Sequence, residues 1–263
     1  MPRADLRITY IDGPTAILEV AGLRFLTDPT FDPAGTAYPT AAYTLRKTRS
    51  PAMGPQAVGD LAGVLLSHDH HFDNLDHLGR ALLAQVPAIY TTVAGAERLG
   101  RNAIGLAPWQ SVTCATPDGR ALRITATPAR HGPAGGDRGP VVGFVLEPAA
   151  GAGAPVYVSG DTGWYDEVAE VGRRVPVAVA LLNLGAAKVA VAGPAPLTFT
   201  AAEAVALADA WPQARIVPLH FEGWEHFTEG RREVDAAFRA AGLSDRLHWL
   251  EPGVPTTFPQ PAA

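Results

Sequence analysis

Short apolar runs rich in β-branched residues recur along this chain, and several of them stop at a histidine or an aspartate. Runs at 6–11, 16–20, 23–26, 64–66, 88–92, 122–126, 141–146, 156–159, 178–183 and 215–219 have the length and composition of strands. Helical patterns are fewer. The clearest covers 201–210, where Thr200-Ala201-Ala202-Glu203 reads as a capping box. Others lie at 75–83, at 94–99, after Gly163, and at 231–241, which Gly242 closes as a C-cap would. Many strands interrupted by occasional helices predict an α/β fold, a four-layer αββα sandwich, built as one domain over residues 1–263.

With 47% hydrophobic residues in 263, a sizeable core is available and global disorder is excluded. Lys+Arg 21 against Asp+Glu 26 leaves a net charge of −5, with no basic run longer than Arg46-Lys47, so a nucleic-acid partner is disfavoured. The lone Cys114 excludes an internal disulfide and a cysteine-rich zinc site, and fits a reducing compartment. The start shows no apolar stretch of signal-peptide type. The apolar run 175–197 is broken by Asn183, Lys188, Pro176, Pro194 and Pro196, so it reads as a buried strand and loop rather than a membrane span. A cytoplasmic protein without stable membrane association is expected, and a homo-oligomer is compatible with the sequence. Segments 32–58 and 129–140 read as long loops, and the proline-rich tail from Pro252 as frayed.

The chemistry concentrates at 67–76, Ser-His-Asp-His-His-Phe-Asp-Asn-Leu-Asp, directly after the run 64–66. His68 and His70 can aim both rings at one point as a strand ends, and Asp73 can return from the turn. Imidazole and carboxylate together form the ligand set of Zn²⁺, Fe²⁺ or Mn²⁺. Three further candidates, His131, Asp161 and His220, each follow an apolar run, and sheet topology can gather such strand ends on one edge.

In these residues the chain resembles the metallo-β-lactamase-fold hydrolases, and among them the branch of the ascorbate-6-phosphate lactonases and N-acyl-phosphatidylethanolamine phospholipases. The resemblance runs in order through Leu26-Thr27-Asp28-Pro29-Thr30-Phe31, the histidine cluster, His131, Ser159-Gly160-Asp161-Thr162, Asn183-Leu184-Gly185 and Val217-Pro218-Leu219-His220. It implies hydrolysis of a small-molecule lactone, amide or phosphodiester by a water activated on one or two divalent metal ions, zinc foremost and manganese or iron as alternatives; a phospholipase-like phosphodiesterase, or a non-catalytic metal- or ligand-binding descendant of the fold, is the rival reading. It also implies that His68, His70 and His131 hold one ion, while Asp73 and His220 anchor a second with Asp161 bridging. The family motif is His-x-His-x-Asp-His. Here one extra residue lies inside it, and Asn74, a weaker ligand than imidazole, stands where the last histidine belongs, so the second site is oxygen-rich and suited to manganese or iron, poorly occupied, or completed by His71.

Two registers are open. Either His68, His70 and Asp73 are ligands, or the register slides to place Asp69 and His71 in the histidine positions. The first is preferred, with His71 turned away from the ions because neighbours in a strand point to opposite faces. Asp73 is expected to hold the water and shuttle its proton, and His226 to reach the substrate or its leaving group. Arg46, with Lys47 and Arg49, and Lys188 are candidates for a substrate anion, and Trp224 for the mouth of the site. Asp60 is a candidate to orient a histidine. His77 is expected on the helix surface or behind a ligand, and Trp109, Trp164 and His248 in structural roles.

Overall fold

The computed structural model describes residues 5–100, 102–136 and 138–259. Its strands are β1 (Leu6–Asp12), β2 (Thr15–Val20), β3 (Leu23–Thr27), β4 (Ala37–Pro39), β5 (Thr44–Arg46), β6 (Gly63–Leu65), β7 (Ile89–Thr91), β8 (Ala103–Gly105), β9 (Ser111–Ala115), β10 (Ala121–Pro128), β11 (Val142–Pro148), β12 (Val156–Val158), β13 (Val179–Asn183), β14 (Arg215–Leu219) and β15 (Thr256–Phe258). Its helices are α1 (His77–Leu82), α2 (Val93–Leu99), α3 (Asp166–Arg174), α4 (Ala201–Ala210) and α5 (Arg231–Ala240). Among the described residues no helix is long and apolar enough to cross a membrane.

One sheet has the order β15-β1-β2-β3-β6-β7-β8 and the other β14-β13-β12-β11-β10-β9. Each is antiparallel in one half and parallel in the other: β3, β6, β7 and β8 run parallel, as do β12, β13 and β14. Alternation explains the layering. Ile17, Leu26, Val64 and Ile89 pair in register across the first sheet and pack with Leu75, Leu82 and Leu83, from α1 and its flanks. Ile8, Leu18 and Phe25, on the other face, join Ile124, Phe144 and Leu181 of the second sheet in one shared core. Burial on both faces demands the uninterrupted apolar runs seen in β6, β12 and β13. The capping box at Thr200 and Glu203 opens α4 as expected. The result is the α/β sandwich, with helices outside and sheets within.

Two loop expectations need correction. The segment 32–58 contains the hairpin β4–β5, whose strands are only three residues each and carry no apolar alternation long enough to read. The tail is not frayed through its prolines: β15 pairs with β1, with Phe258 opposite Leu6. Residues 260–263, including Pro261, lie outside the described residues.

The hairpin is pinned to the first sheet by a buried lysine. Lys47 is fully buried, its Nζ 3.1 Å from the Thr30 carbonyl, 3.5 Å from Asp76 Oδ2 and 3.6 Å from Asp12 Oδ2. Asp76 is also the N-cap of α1, accepting from Gly79 N–H at 2.8 Å, and Asp32 accepts from the N–H groups of His77 and Leu78. Gly79 lets that helix sit on Pro29, since a Cβ there would fall 1.9 Å from the Pro29 carbonyl oxygen. Burial pushes the Asp12 carboxyl up to about 6 even with Lys47 beside it. Removing the lysine leaves buried Asp76 without its cation and Asp12 with only Arg49, 4.0 Å away, so Lys47→Met should cost about 3–5 kcal/mol. Urea unfolding measures it, and an unchanged midpoint would refute this role.

Candidate metal centre

The parallel halves of the two sheets, together with β10, deliver their strand ends to one edge, the usual location of sites in layered α/β folds. Asp28 follows β3, Ser67 and His68 follow β6, His131 follows β10, Asp161 follows β12, Asn183 ends β13 and His220 follows β14. Backbone bonds close the edge: Val142 N–H donates to the Ser67 carbonyl at 3.1 Å, and His220 N–H to the Gly13 carbonyl at 2.7 Å. His220 is buried in the left-handed region at φ 52°, a conformation costly for a side chain this size and typical of functional positions.

Three imidazoles meet at one point. His71 Nδ1 lies 3.0 Å from His68 Nε2 and 3.1 Å from His131 Nε2. The other nitrogens of His131 and His68 are held from behind. His131 Nδ1 is 2.8 Å from the Leu197 carbonyl, so in the neutral ring the proton sits on Nδ1 and the lone pair on Nε2. His68 Nδ1 is 2.9 Å from Ser67 Oγ, which donates to Asp28 Oδ2 at 2.8 Å. Burial, then the neighbouring His131, pushes the His71 ring down to about 3; burial likewise lowers His68, with His71 next in effect. Neutral rings with converging lone pairs are what a borderline divalent cation requires.

Beside them stands Asp161, fully buried. Its Oδ1 accepts from Asn183 Nδ2 at 2.7 Å, from His220 Nδ1 at 3.1 Å and from Asn74 Nδ2 at 3.2 Å. Its Oδ2 has no hydrogen-bond partner and points toward His131 Nε2, 3.7 Å away. Burial would raise the Asp161 carboxyl, yet the charges and hydrogen bonds of His220, with His131, hold it well below the usual range. Across from it His220 Nε2, also buried without a hydrogen-bond partner, is 3.7 Å from Asp73 Oδ2, which pairs with His226 Nε2 at 3.0 Å.

Ligand atoms within 4.8 Å of one another can be chosen from three groups: His68, His70 and His71; His68, His131 and Asp161; Asp73, Asp161 and His220. The donor set fits a divalent ion. Two nitrogens of a tetrahedral centre with bonds of 2.0–2.1 Å sit about 3.3 Å apart, near the separations observed here. The buried, unpartnered Asp161 Oδ2 supplies a further lone pair on the same side, and His220 Nε2 would do so with its ring neutral.

The structure corrects several expectations about the cluster. His71 is not turned away; it faces His68 and His131, while exposed His70 has its Nε2 2.9 Å from the Arg138 carbonyl. Alternation fails because β6 ends at Leu65, so positions 70 and 71 are loop, not strand. Asp69 pairs with Arg98 of α2. Asn74 donates to Asp28 and Asp161, leaving its Oδ1 buried and unpartnered.

The cationic loop is also different. Lys47 is internal, Arg49 pairs with Glu222, and Arg46 lies 3.8 Å from Glu225 at the surface. Trp224 is buried against Tyr38 instead of lining an open mouth. Lys188 is exposed, its N–H donating to the His226 carbonyl at 2.9 Å. Asp60 is exposed and His77 starts α1; Trp164 packs on Trp211, Trp109 lies under Arg174, and His248 packs near Phe258. Sequence reasoning assigned no role to Asp28 or Asn183, although both lie in segments that carry the resemblance and each follows or ends a buried apolar run.

A family model described as a Beta-lactamase superfamily domain matches residues 23–221. The chain belongs to the beta-lactamase superfamily. A UPF0173 metal-dependent hydrolase from Pelotomaculum thermopropionicum is 30% identical over 203 residues, covering 72% of this chain and 79% of the relative. Among solved structures, a "possible metal-dependent hydrolase" from Veillonella parvula aligns over 97% of this chain and 100% of its own at a TM-score of 0.84 and 19% identity. An isothiocyanate hydrolase from Delia radicum gut bacteria aligns over 96% and 99%, with a TM-score of 0.80 and 23% identity. The protein is therefore a metal-dependent hydrolase of this superfamily.

Acid should act on the imidazole trio directly. The unfolded chain protonates histidine near 6.5, whereas folded His71 stays neutral to about 3. Between those values the unfolded state binds a proton that the folded state does not, so stability present above pH 6.5 is lost as pH falls toward 3. The loss from this one group reaches roughly 5 kcal/mol in metal-free protein. Unfolding measured across that window should show a shallower acid slope in His71→Ala; an identical slope would refute the placement.

Proposed function

We propose that His68, His71, His131 and Asp161 hold one divalent ion, zinc best matching three imidazoles and a carboxylate, and that Asp73, Asp161 and His220 offer a second, weaker place suited equally to manganese or iron. The observation that carries this reading is the meeting of His71 Nδ1 with the Nε2 atoms of His68 and His131 at 3.0 and 3.1 Å. When bound, the metal supplies Lewis acidity and lowers the pKa of water from 15.7 to about 7. The sequence resemblance supports a small-molecule lactone, amide or phosphodiester as substrate.

The chain's own residues orient and move protons. The Asp28–Ser67 pair fixes the His68 ring with Nε2 toward the centre, as the Leu197 carbonyl does for His131. Asp73 Oδ2 accepts the attacking water's proton, and His226 Nε2, 3.0 Å away, carries it to the leaving group. Asn74 contributes no imidazole, because its amide is engaged as a donor between two carboxylates.

Metal analysis tests the ligand set. His71→Ala should lose one equivalent of tightly held metal, whereas His70→Ala should retain it; the opposite pattern would overturn the assignment. Asn74→His should tighten the second, weaker site, since imidazole binds borderline divalent metals better than an amide does. Hydrolysis should disappear with a chelator and return with added metal, and activity indifferent to chelation would contradict the reading.

A further inference from the structure

At the same edge of the sheets, α2 and the loop 129–142 border a cleft of about 580 Å³, a size usual for small-molecule sites. Its lining is mostly apolar. Leu106, Val141 and Val142 are buried there, while Val93, on the first turn of α2, stays 47% exposed. Gly139 brings the cleft wall against the histidine cluster: a Cβ there would lie 2.9 Å from His70 Nε2, and the His70 ring packs on His71 with centroids 4.3 Å apart. Ala129 and Arg130, which lead into His131, belong to the same lining. The cleft thus shares the loop that carries His131, yet none of the residues proposed as metal ligands lines it.

Two charged side chains line the cleft, Arg130 and Glu97. Arg130 is the one held in place. Its backbone N–H donates to Thr162 Oγ1 at 2.9 Å, its Nε donates to the Gly132 carbonyl at 3.3 Å, and its guanidinium lies 4.1 Å from the Tyr165 ring centroid. Glu167 and Arg130 both act on the Tyr165 hydroxyl, yet among the described residues no carboxylate forms an ion pair with Arg130. A stacked guanidinium without an anionic partner presents its fork to a planar anion. Glu97 is exposed on α2 beside Arg98, where water and that neighbouring cation offset its charge.

We propose that this cleft is a binding site for a hydrocarbon chain ending in a carboxylate, with the carboxylate on Arg130 and the chain against Val93, Leu106, Val141 and Val142. The arginine supplies a charge-assisted contact, and the chain removes apolar surface of both partners from water. The site goes beyond the hydrolase reading and stands without it, since binding there needs neither a metal nor the residues that move the proton.

Calorimetry on metal-loaded protein tests it, with hexanoate, octanoate, 1-octanol and octylamine as probes. Octanoate should bind about tenfold more tightly than hexanoate, at three- to fourfold per methylene, and more tightly than the alcohol or the amine. Arg130→Gln should weaken octanoate roughly tenfold or more and leave 1-octanol within about twofold, which also shows that the variant keeps its cleft. Ala94→Phe, which fills the cleft from α2 without touching Arg130, should weaken both. No octanoate binding, affinity that ignores chain length, or octylamine bound more tightly than octanoate overturns the proposal. So does octanoate binding that persists unchanged in Arg130→Gln or in Ala94→Phe. Octanoate binding lost on removing the metal from protein that stays folded overturns it as well, because the anchor would then be the ion.

Discussion

Everything at the active edge depends on one buried carboxylate. Asp161 is taken fully out of water at the end of β12, and an unpaired charge there would cost several kcal/mol. It is tolerated because Asn183, His220 and Asn74 all donate to its Oδ1. Two of those donors come from the second sheet, at the ends of β13 and β14. Asn74 comes from the loop after β6, in the first. Satisfying Asp161 therefore locks the two sheets together at the edge where the imidazoles meet, and leaves Oδ2 as the unpartnered acceptor facing them.

The same edge separates two electrostatic regimes. On one side His68, His71 and His131 are packed closely enough that burial and mutual repulsion keep His68 and His71 neutral. On the other, Asp73 and Asp161 draw His220 upward in pKa, outweighing the burial that would lower it. Neutral nitrogens converging near an uncompensated carboxylate oxygen form a place for positive charge. The buried charges under the hairpin obey another logic: Lys47, Asp12 and Asp76 hold the hairpin in place, and so place Tyr38 beside Phe72 at a fixed position.

Much of this was legible in the sequence because strand physics and site chemistry coincide there. Buried parallel strands must be apolar throughout, so the first polar residue after each run marks the sheet edge; His131, Asp161 and His220 were readable in that way. The choice between His70 and His71 was not. Alternation applies only while a chain is a strand, and β6 ends at Leu65, three residues before His68. Asp69 is drawn off to Arg98 and His70 to the Arg138 carbonyl, and on the reading proposed here the extra residue falls between His68 and His71, with His71-Phe72-Asp73-Asn74 in the motif spacing. The hairpin was missed for a related reason. Three-residue strands carry no period, and the lysine that anchors them looks from sequence like any solvated cation.

The central claim is that the inserted residue hands the second imidazole position to His71. A crystal soaked with zinc and measured on both sides of the zinc absorption edge decides it directly. The account predicts an anomalous peak within bonding distance of His68 Nε2, His71 Nδ1 and His131 Nε2, with His70 still on the Arg138 carbonyl. A peak bound to His70 with His71 rotated out of the centre would contradict it.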